Sequence, residues 1–263
     1  MKVLWSWLLE LCDFDMVPTV EEGARALTRG GIEIEGMTNL GANPTAGPVR
    51  NETLWSGFVR HEHDFGEHTE VHIGLGHVER APDYWELISK ESVASTSAFA
   101  STRREKTTQL DLGAVHRDGP WEAFVSGYAG RVDDYILIQS MTSKPGGMGP
   151  RNTTVARNID AWTWGAEAGA RRKLGEAWGV DGSLAWARGQ NRTDDRPLGQ
   201  MPALEARLGL NWESGAWSAG GLLRAVASQK RQALYQGNIV GQDLGPTAGF
   251  GVVSVHAGWR LDK

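Results

Sequence analysis

Leu204-Glu205-Ala206-Arg207-Leu208-Gly209-Leu210-Asn211-Trp212 decides the fold. Its even positions are all apolar, and its odd positions are charged, amide or glycine. Successive side chains of a strand point to opposite faces, so this period of two describes a strand that is wet on one side and apolar on the other. The same period returns in Trp162, Trp164, Ala166, Ala168 and Ala170 against Thr163, Gly165, Glu167, Gly169 and Arg171. Leu110, Leu112 and Ala114 alternate with Gln109, Asp111 and Gly113, and Val71, Ile73 and Leu75 with Glu70, His72 and Gly74.

The connections between such segments are short and long in turn. Phe65-Gly66-Glu67, Arg117-Asp118-Gly119-Pro120, Leu174-Gly175-Glu176 and Ser214-Gly215 are tight glycine turns between alternating segments. Those near 81–104, 140–153, 190–201 and 229–248 are polar and rich in Gly, Pro, Asn and Ser. Asp83–Ser89 reads as a short helix inside the first of them. From Leu54 the chain yields about nine antiparallel strands in a meander, with short turns at one end and long connections at the other. Residues 31–53 hold one ragged strand or a loop. The fold class expected is all-β.

Composition narrows the setting. The chain has 263 residues, 27 Lys+Arg against 32 Asp+Glu and a net charge of -5, which opposes a nucleic-acid partner. Its single cysteine, Cys12, rules out an intramolecular disulfide framework and a multi-cysteine zinc site. No apolar run is long enough for a membrane helix, but a transmembrane barrel averages out as hydrophilic and stays open as a reading. Residues 1–30 read as a leader apart from the rest. Val3–Leu11 is apolar after Lys2, yet Glu10, Asp13 and Asp15 follow without a small-residue cleavage site, so no export signal is expected there.

Trp121, Trp178 and Trp217 each follow a short turn, Trp212 precedes one, and Trp259 lies near the chain end. On the strand frames above, these indoles fall on the apolar face at one end of the hairpins. An indole prefers the headgroup zone, with its ring buried and its N–H wet, so the set reads as an aromatic girdle. In a soluble sandwich they would be core residues instead. Glu167, Arg171, Asp181, Glu205, Arg207, Arg224 and Arg260 share the opposite face, where they would line water or meet a plug inside a wide barrel. A solvent-exposed face on a single-layer sheet would hold them as well.

Candidate metal ligands are few. Met141 and Met148 lie in the loop Ser140–Pro150, and thioethers select copper(I). His61 and His63 share the apolar face with Trp55 and Val59, whereas His72 faces inward beside Glu70 and is the better candidate for contact with a plug or solute. His61-Glu62-His63 lacks the spacing of a zinc-protease helix, Gly74-Leu75-Gly76 lacks the third glycine of a dinucleotide fingerprint, and no GxSxG or Walker motif occurs. The reading is not that of an enzyme, and it calls for no cofactor.

Several segments carry a family resemblance. His77-Val78-Glu79-Arg80-Ala81-Pro82-Asp83-Tyr84-Trp85-Glu86-Leu87 resembles a loop entry of TonB-dependent receptors, and Arg104-Glu105-Lys106-Thr107-Thr108-Gln109-Leu110-Asp111-Leu112-Gly113 is similar to the family's next strand. Arg104 stands where proline is usual, and Asp111 where glutamate is commoner. Tyr128 with Asp133-Asp134-Tyr135-Ile136, and Arg157-Asn158-Ile159-Asp160-Ala161 through Trp164-Gly165-Ala166-Glu167, resemble the strands after it. Asn191-Arg192-Thr193-Asp194-Asp195-Arg196-Pro197-Leu198 and Asn238-Ile239-Val240-Gly241-Gln242-Asp243 are similar to the copper-receptor branch.

The resemblance covers about residues 36–263. It implies a bacterial outer-membrane location, outer-membrane lipid around the barrel, a plug domain inside it, a TonB complex that drives it, and copper or a metal chelate as cargo. It also implies a barrel of about 22 strands. Residues 31–263 would then be part of such a barrel, unclosed and cut at both ends, with Leu261-Asp262-Lys263 inside a short turn. Such a piece alone is expected neither to transport nor to insert stably. A small porin-like channel and a soluble β-rich binding module are the other readings.

Overall fold

The computed structural model describes Thr19, Glu22 and residues 50–261. Apart from Thr19 and Glu22, the leader at 1–30, its boundary with residue 31, the part before residue 50 of the strand or loop expected over 31–53, and the turn residues Asp262 and Lys263 lie outside the described residues. The chain divides into two units, Met1–Asn51 and Glu52–Lys263. In the first, Thr19 and Glu22 cap each other: the Thr19 N–H donates to Glu22 Oε2 at 2.8 Å, and the Glu22 N–H to Thr19 Oγ1 at 3.3 Å.

The second unit is one antiparallel sheet. Its strands are β1 (Ser56–Phe65), β2 (Thr69–Arg80), β3 (Glu105–Asp118), β4 (Trp121–Lys144), β5 (Arg151–Leu174), β6 (Trp178–Asn191), β7 (Arg196–Pro197), β8 (Glu205–Ser214), β9 (Trp217–Val226), β10 (Gln236–Gly237) and β11 (Phe250–Trp259). One short helix, α1 (Tyr84–Leu87), lies in the β2–β3 connection. The main path runs β1-β2-β3-β4-β5-β6-β8-β9-β11, while β7 pairs with β6 and β10 with β4. Nine long strands therefore form the meander, as the alternation leads one to expect. Among the described residues β1 and β11 each have a single neighbour, so the sheet is not closed.

The turns follow from glycine chemistry. Gly66, Gly119, Gly175 and Gly215 all have φ between 53° and 68°, a left-handed conformation that a β-carbon penalises and that a tight hairpin needs. Each of the four short connections contains one of them. Asp83 starts α1 with a reciprocal cap: its carboxylate accepts from the Trp85 and Glu86 N–H groups, and Glu86 Oε2 accepts from the Asp83 N–H at 2.8 Å.

Register then builds two faces. Val71 lies opposite Ala114, Ile73 opposite Leu112 and Leu75 opposite Leu110. Across the other half, Leu184 faces Ala206, Leu208 faces Leu223, and Leu223 faces Val253. Ile73, Leu112, Val125, Leu208 and Val253 are all exposed despite being apolar, so this face is an uncovered apolar band. The girdle tryptophans lie on it and do not converge between two stacked sheets. Trp178 is the register partner of Trp212, and Trp217 that of Trp259.

The buried core sits at the long-connection end. Val132, Leu137, Ile159, Ala161 and Leu198 pack together with Tyr135 and Met201. Ala98, Ile136, Ile138 and Ala156 form a second cluster. The tips of β4 and β5 are thus covered on both faces, by the β2–β3 connection on one and by the segments around 198–201 on the other. Where the sequence suggests a loop over 140–153, β4 continues to Lys144 and β5 begins at Arg151. Register shifts between Val132 and Tyr135 and between Gln139 and Thr142, with Asp134 and Met141 at φ 60° and 56°, flip the alternation and hide these strands.

Candidate functional site: the inner face and the rim of long connections

The face opposite the apolar band carries paired charge. Glu205 accepts from Arg224 and from Arg207 at 2.6 Å each, and Glu122 from Arg171 at 2.5 Å. Asp181 lies across Gly209, where a β-carbon would stand 2.5 Å from its Oδ1. Ionised groups in these numbers need partners or water, and this face supplies both. The seven charged residues expected on one face include Glu205, Arg207 and Arg224, which the structure joins in a single ion-pair group.

The rim above this face is built from side chains that hold loops. Asn191 is fully buried; its Nδ2 donates to Asp194 Oδ2 at 2.8 Å, and its Oδ1 accepts from the Asp194 N–H at 3.0 Å. Arg157 donates to the same carboxylate, and its Nε to Gln139 Oε1 at 3.2 Å. The Arg157 guanidinium, as a hydrogen-bond donor, holds the Asp194 carboxyl below its usual range. This accounts for the motif Asn191–Leu198: asparagine and aspartate close the turn, and arginine anchors it to β5. Asp243 plays the same part in the next connection, accepting from the Gln200 N–H at 3.0 Å and the Ala233 N–H at 2.8 Å.

The β2–β3 connection is fastened by two carboxylates. Glu86, 2 % exposed, accepts from Arg80 at 3.0 Å, and Arg80 also donates to Glu105 at 2.7 Å. Glu91 accepts from Lys144 at 2.8 Å, from Arg151 at 2.7 Å and from Thr153 at 2.9 Å. Those donors, Arg151 first, pull its pKa down to about 2.

The structure separates the expected metal ligands. His72 lies in β2 near a short turn, opposite Glu62 and Gly113, and Gly113 pairs with Ser126 of β4. From Ser126 to Met141 the same strand runs on the order of 50 Å. Met141 stands on a bulge of β4 instead of in the loop, is 56 % exposed, and shares the rim with the fully exposed Met148. His72 and the methionines are thus at opposite ends of the sheet. His61 and His63 have ring centres 6.3 Å apart, and His63 packs edge-on against Phe65 at 4.8 Å. Among the described residues no group of three or more His, Cys, Asp or Glu is placed to hold a metal ion.

One feature escapes the sequence reading. Trp162, Trp164 and Trp186 form a second indole belt on the apolar face toward the long connections, with Trp55 stacked on His77 at 4.2 Å nearby. From Trp178 to Trp186 the strand runs about 26 Å, or about 20 Å along the barrel axis at the usual strand tilt, which spans most of a barrel's apolar band. That interval between indoles of one strand is the signal that finds it. Two belts and the band between them describe a wall with lipid on one side, water or protein on the other, and ordered loops at one mouth. No helix among the described residues is long and apolar enough to cross a membrane.

Comparisons with known proteins agree with this geometry. A family model described as TonB dependent receptor-like, beta-barrel matches residues 30–263. A solved structure of the copper transporter OprC is 48% identical, with a TM-score of 0.77, and the match covers 84% of this chain and 34% of that one. The FrpB iron transporter from Neisseria meningitidis is similar at 16% identity and a TM-score of 0.56, over 77% of this chain and 31% of that one. A ferric enterobactin receptor, PfeA, from Pseudomonas aeruginosa is similar at 15% identity and a TM-score of 0.60, over 80% of this chain and 33% of that one. At those identities the last two speak for the fold alone. The chain spans about a third of the length of the structures it matches. No curated protein sequence matches it significantly.

Proposed function

We propose, for a chain that belongs to the TonB-dependent receptor β-barrel family, that it forms part of the wall of an outer-membrane receptor importing copper or a chelated metal. Receptors of this family sit in the bacterial outer membrane. The observation that carries the reading is the sheet itself, apolar between two indole belts on one face and ion-paired on the other. Copper is favoured over other cargo by the 48% identity to a structure named as a copper transporter.

On this reading the intact receptor holds a plug domain against the inner face, and a TonB complex supplies the energy for release. Met141 and Met148, exposed at the outer mouth, present thioethers suited to copper(I). His72, inward and near the opposite end, meets the plug or the passing solute. The function is transport and not catalysis. On this reading the chain by itself does not transport, because among the described residues β1 and β11 each have one neighbour and leave the backbone groups of their other edge unpaired. In lipid such groups cost several kcal/mol each, so further strands must flank them.

The test is copper accumulation under copper limitation in cells deleted for the reading frame that encodes the intact receptor. Accumulation falls and returns with the gene; Met141→Leu with Met148→Leu restores it only in part. Unchanged copper accumulation in the deletion strain, with impaired growth on a ferric chelate, would replace copper by chelated iron.

A further inference from the structure

His61, His63, His68 and His116 gather at the short-turn end of β1, β2 and β3. Two pairs of rings result, each with centres 6.3 Å apart. His61 and His63 stand two residues apart on one strand, and their spacing follows from strand geometry alone. His68 and His116 are brought together only by the sheet. His68 lies in the β1–β2 turn, where its carbonyl accepts from the Arg117 N–H at 2.8 Å, while His116 of β3 is the register partner of Thr69.

The two rings of this second pair are held differently. His116 Nδ1 lies 2.8 Å from Thr69 Oγ1. With Nδ1–H donating to the hydroxyl, Nε2 keeps its lone pair and the ring its direction, the arrangement in which an imidazole binds a metal. Beyond its contact with His116, edge to face at 71°, the His68 ring makes no hydrogen bond or ion pair among the described residues. Both residues are exposed. An ion about 2 Å from one nitrogen of each ring sets the ring centres about 5–6 Å apart, so rotation of the unrestrained His68 ring closes the pair on a shared ion. Two imidazoles, with water in the remaining positions, suit the borderline divalent ions, copper(II) above zinc. Such a site is smaller than the groups of three or more ligands that the described residues lack.

We propose that His68 and His116 chelate a divalent ion of the copper and zinc class, with Thr69 as the positioning residue. The ion ties the β1–β2 turn to β3. That turn joins β1, which has a single neighbour among the described residues, to the rest of the sheet, so a bound ion stabilises the folded hairpin. On the outer-membrane reading this rim faces the periplasm; the chelate itself depends only on the folded sheet.

The experiment uses the full chain refolded in maltoside micelles and copper(II) chloride as the probe, read by electron paramagnetic resonance and by competition with zinc(II). Circular dichroism of each sample follows the sheet, whose signal the variants keep. The wild type binds copper(II) with nitrogen couplings from two imidazoles, and zinc(II) displaces it. His68→Ala and His116→Ala each lose one of the two couplings. Thr69→Val weakens binding by about tenfold, the usual cost of a lost outer-shell partner, and Thr69→Ser restores it. Because the pair exists only in the folded sheet, copper(II) raises the thermal midpoint of the wild type and not that of His116→Ala. Absence of copper binding overturns the proposal. So does a two-imidazole signal that survives His68→Ala and is lost in His61→Ala with His63→Ala, since the ion then sits on β1 alone. Wild-type affinity in Thr69→Val overturns the role given to Thr69.

Discussion

The imidazole of His72 lies across Gly113 of the neighbouring strand, so close that a β-carbon there would stand 2.5 Å from Cε1. Three more rings cover glycines on the same face: Tyr128 on Gly165, Phe124 on Gly169 and His256 on Gly220, at 2.5–2.6 Å by the same measure. A bare glycine weakens a strand, and a ring laid over it restores contact that the missing side chain cannot give. Gly113→Ala therefore expels the His72 ring and costs about 1–3 kcal/mol, as overpacking does. Denaturant midpoints in detergent measure it. His72→Ala in the Gly113→Ala background recovers part of the loss; strictly additive effects of the two substitutions would refute the contact.

Trp217 and Trp259 stack at 5.9 Å on adjacent strands of the apolar face. Such pairs couple by about 0.5–1.5 kcal/mol beyond their area, which a double-mutant cycle with leucine at each position detects. Their placement makes a second, independent prediction. In mixed micelles with brominated lipids, bromines near the headgroup quench these indoles more strongly than bromines at the chain ends. Stronger quenching by the deep bromines would contradict a girdle.

The faces of the sheet were legible because alternation survives wherever one side of a strand is apolar and the other polar, as from Leu204 to Trp212. The hairpins were legible because each short turn needs a left-handed residue and uses Gly66, Gly119, Gly175 or Gly215. The tip of β4 was not legible. Tyr135-Ile136-Leu137-Ile138 is covered on both faces, so alternation disappears, and the bulges at Asp134 and Met141 shift its phase. Met141 thus looks like a loop residue in the sequence. The separation of His72 from the methionines was hidden for another reason: it depends on the register of β2 on β3 and of β3 on β4, and no single strand contains it.

Asn191 and Asp194 close the β6–β7 turn with one hydrogen bond in each direction, and Asn191 is fully buried. Asn191→Ala removes both and leaves the Asp194 N–H without its acceptor, a loss of about 1–3 kcal/mol. Asn191→Asp keeps the acceptor but sets a second carboxylate beside Asp194, so its penalty is larger at neutral pH and shrinks as acid protonates one of the pair. Thermal midpoints of the two variants at pH 7 and pH 4 test this. The aspartate variant gains relative to alanine on acidification; equal responses would remove the assigned role.

Glu91 ties the β2–β3 connection to β4 and β5 through Lys144, Arg151 and Thr153, and these donors lower its pKa from 4.5 to about 2. A depressed carboxylate pKa means that the folded loop favours the ionised form. Its contribution is complete above the unfolded value of 4.5 and is lost as pH falls through about 2. The latch therefore holds through the range in which a free glutamate protonates. Pepsin works across that window, and cleavage within 81–104 reports release of the loop. The wild type resists pepsin at pH 4 and is cut as pH approaches 2. Glu91→Gln, which cannot carry the charge, is cut at both. Wild-type cleavage that rises between pH 5 and pH 4 would mean that Glu91 titrates as an ordinary carboxyl and that another contact fastens the loop.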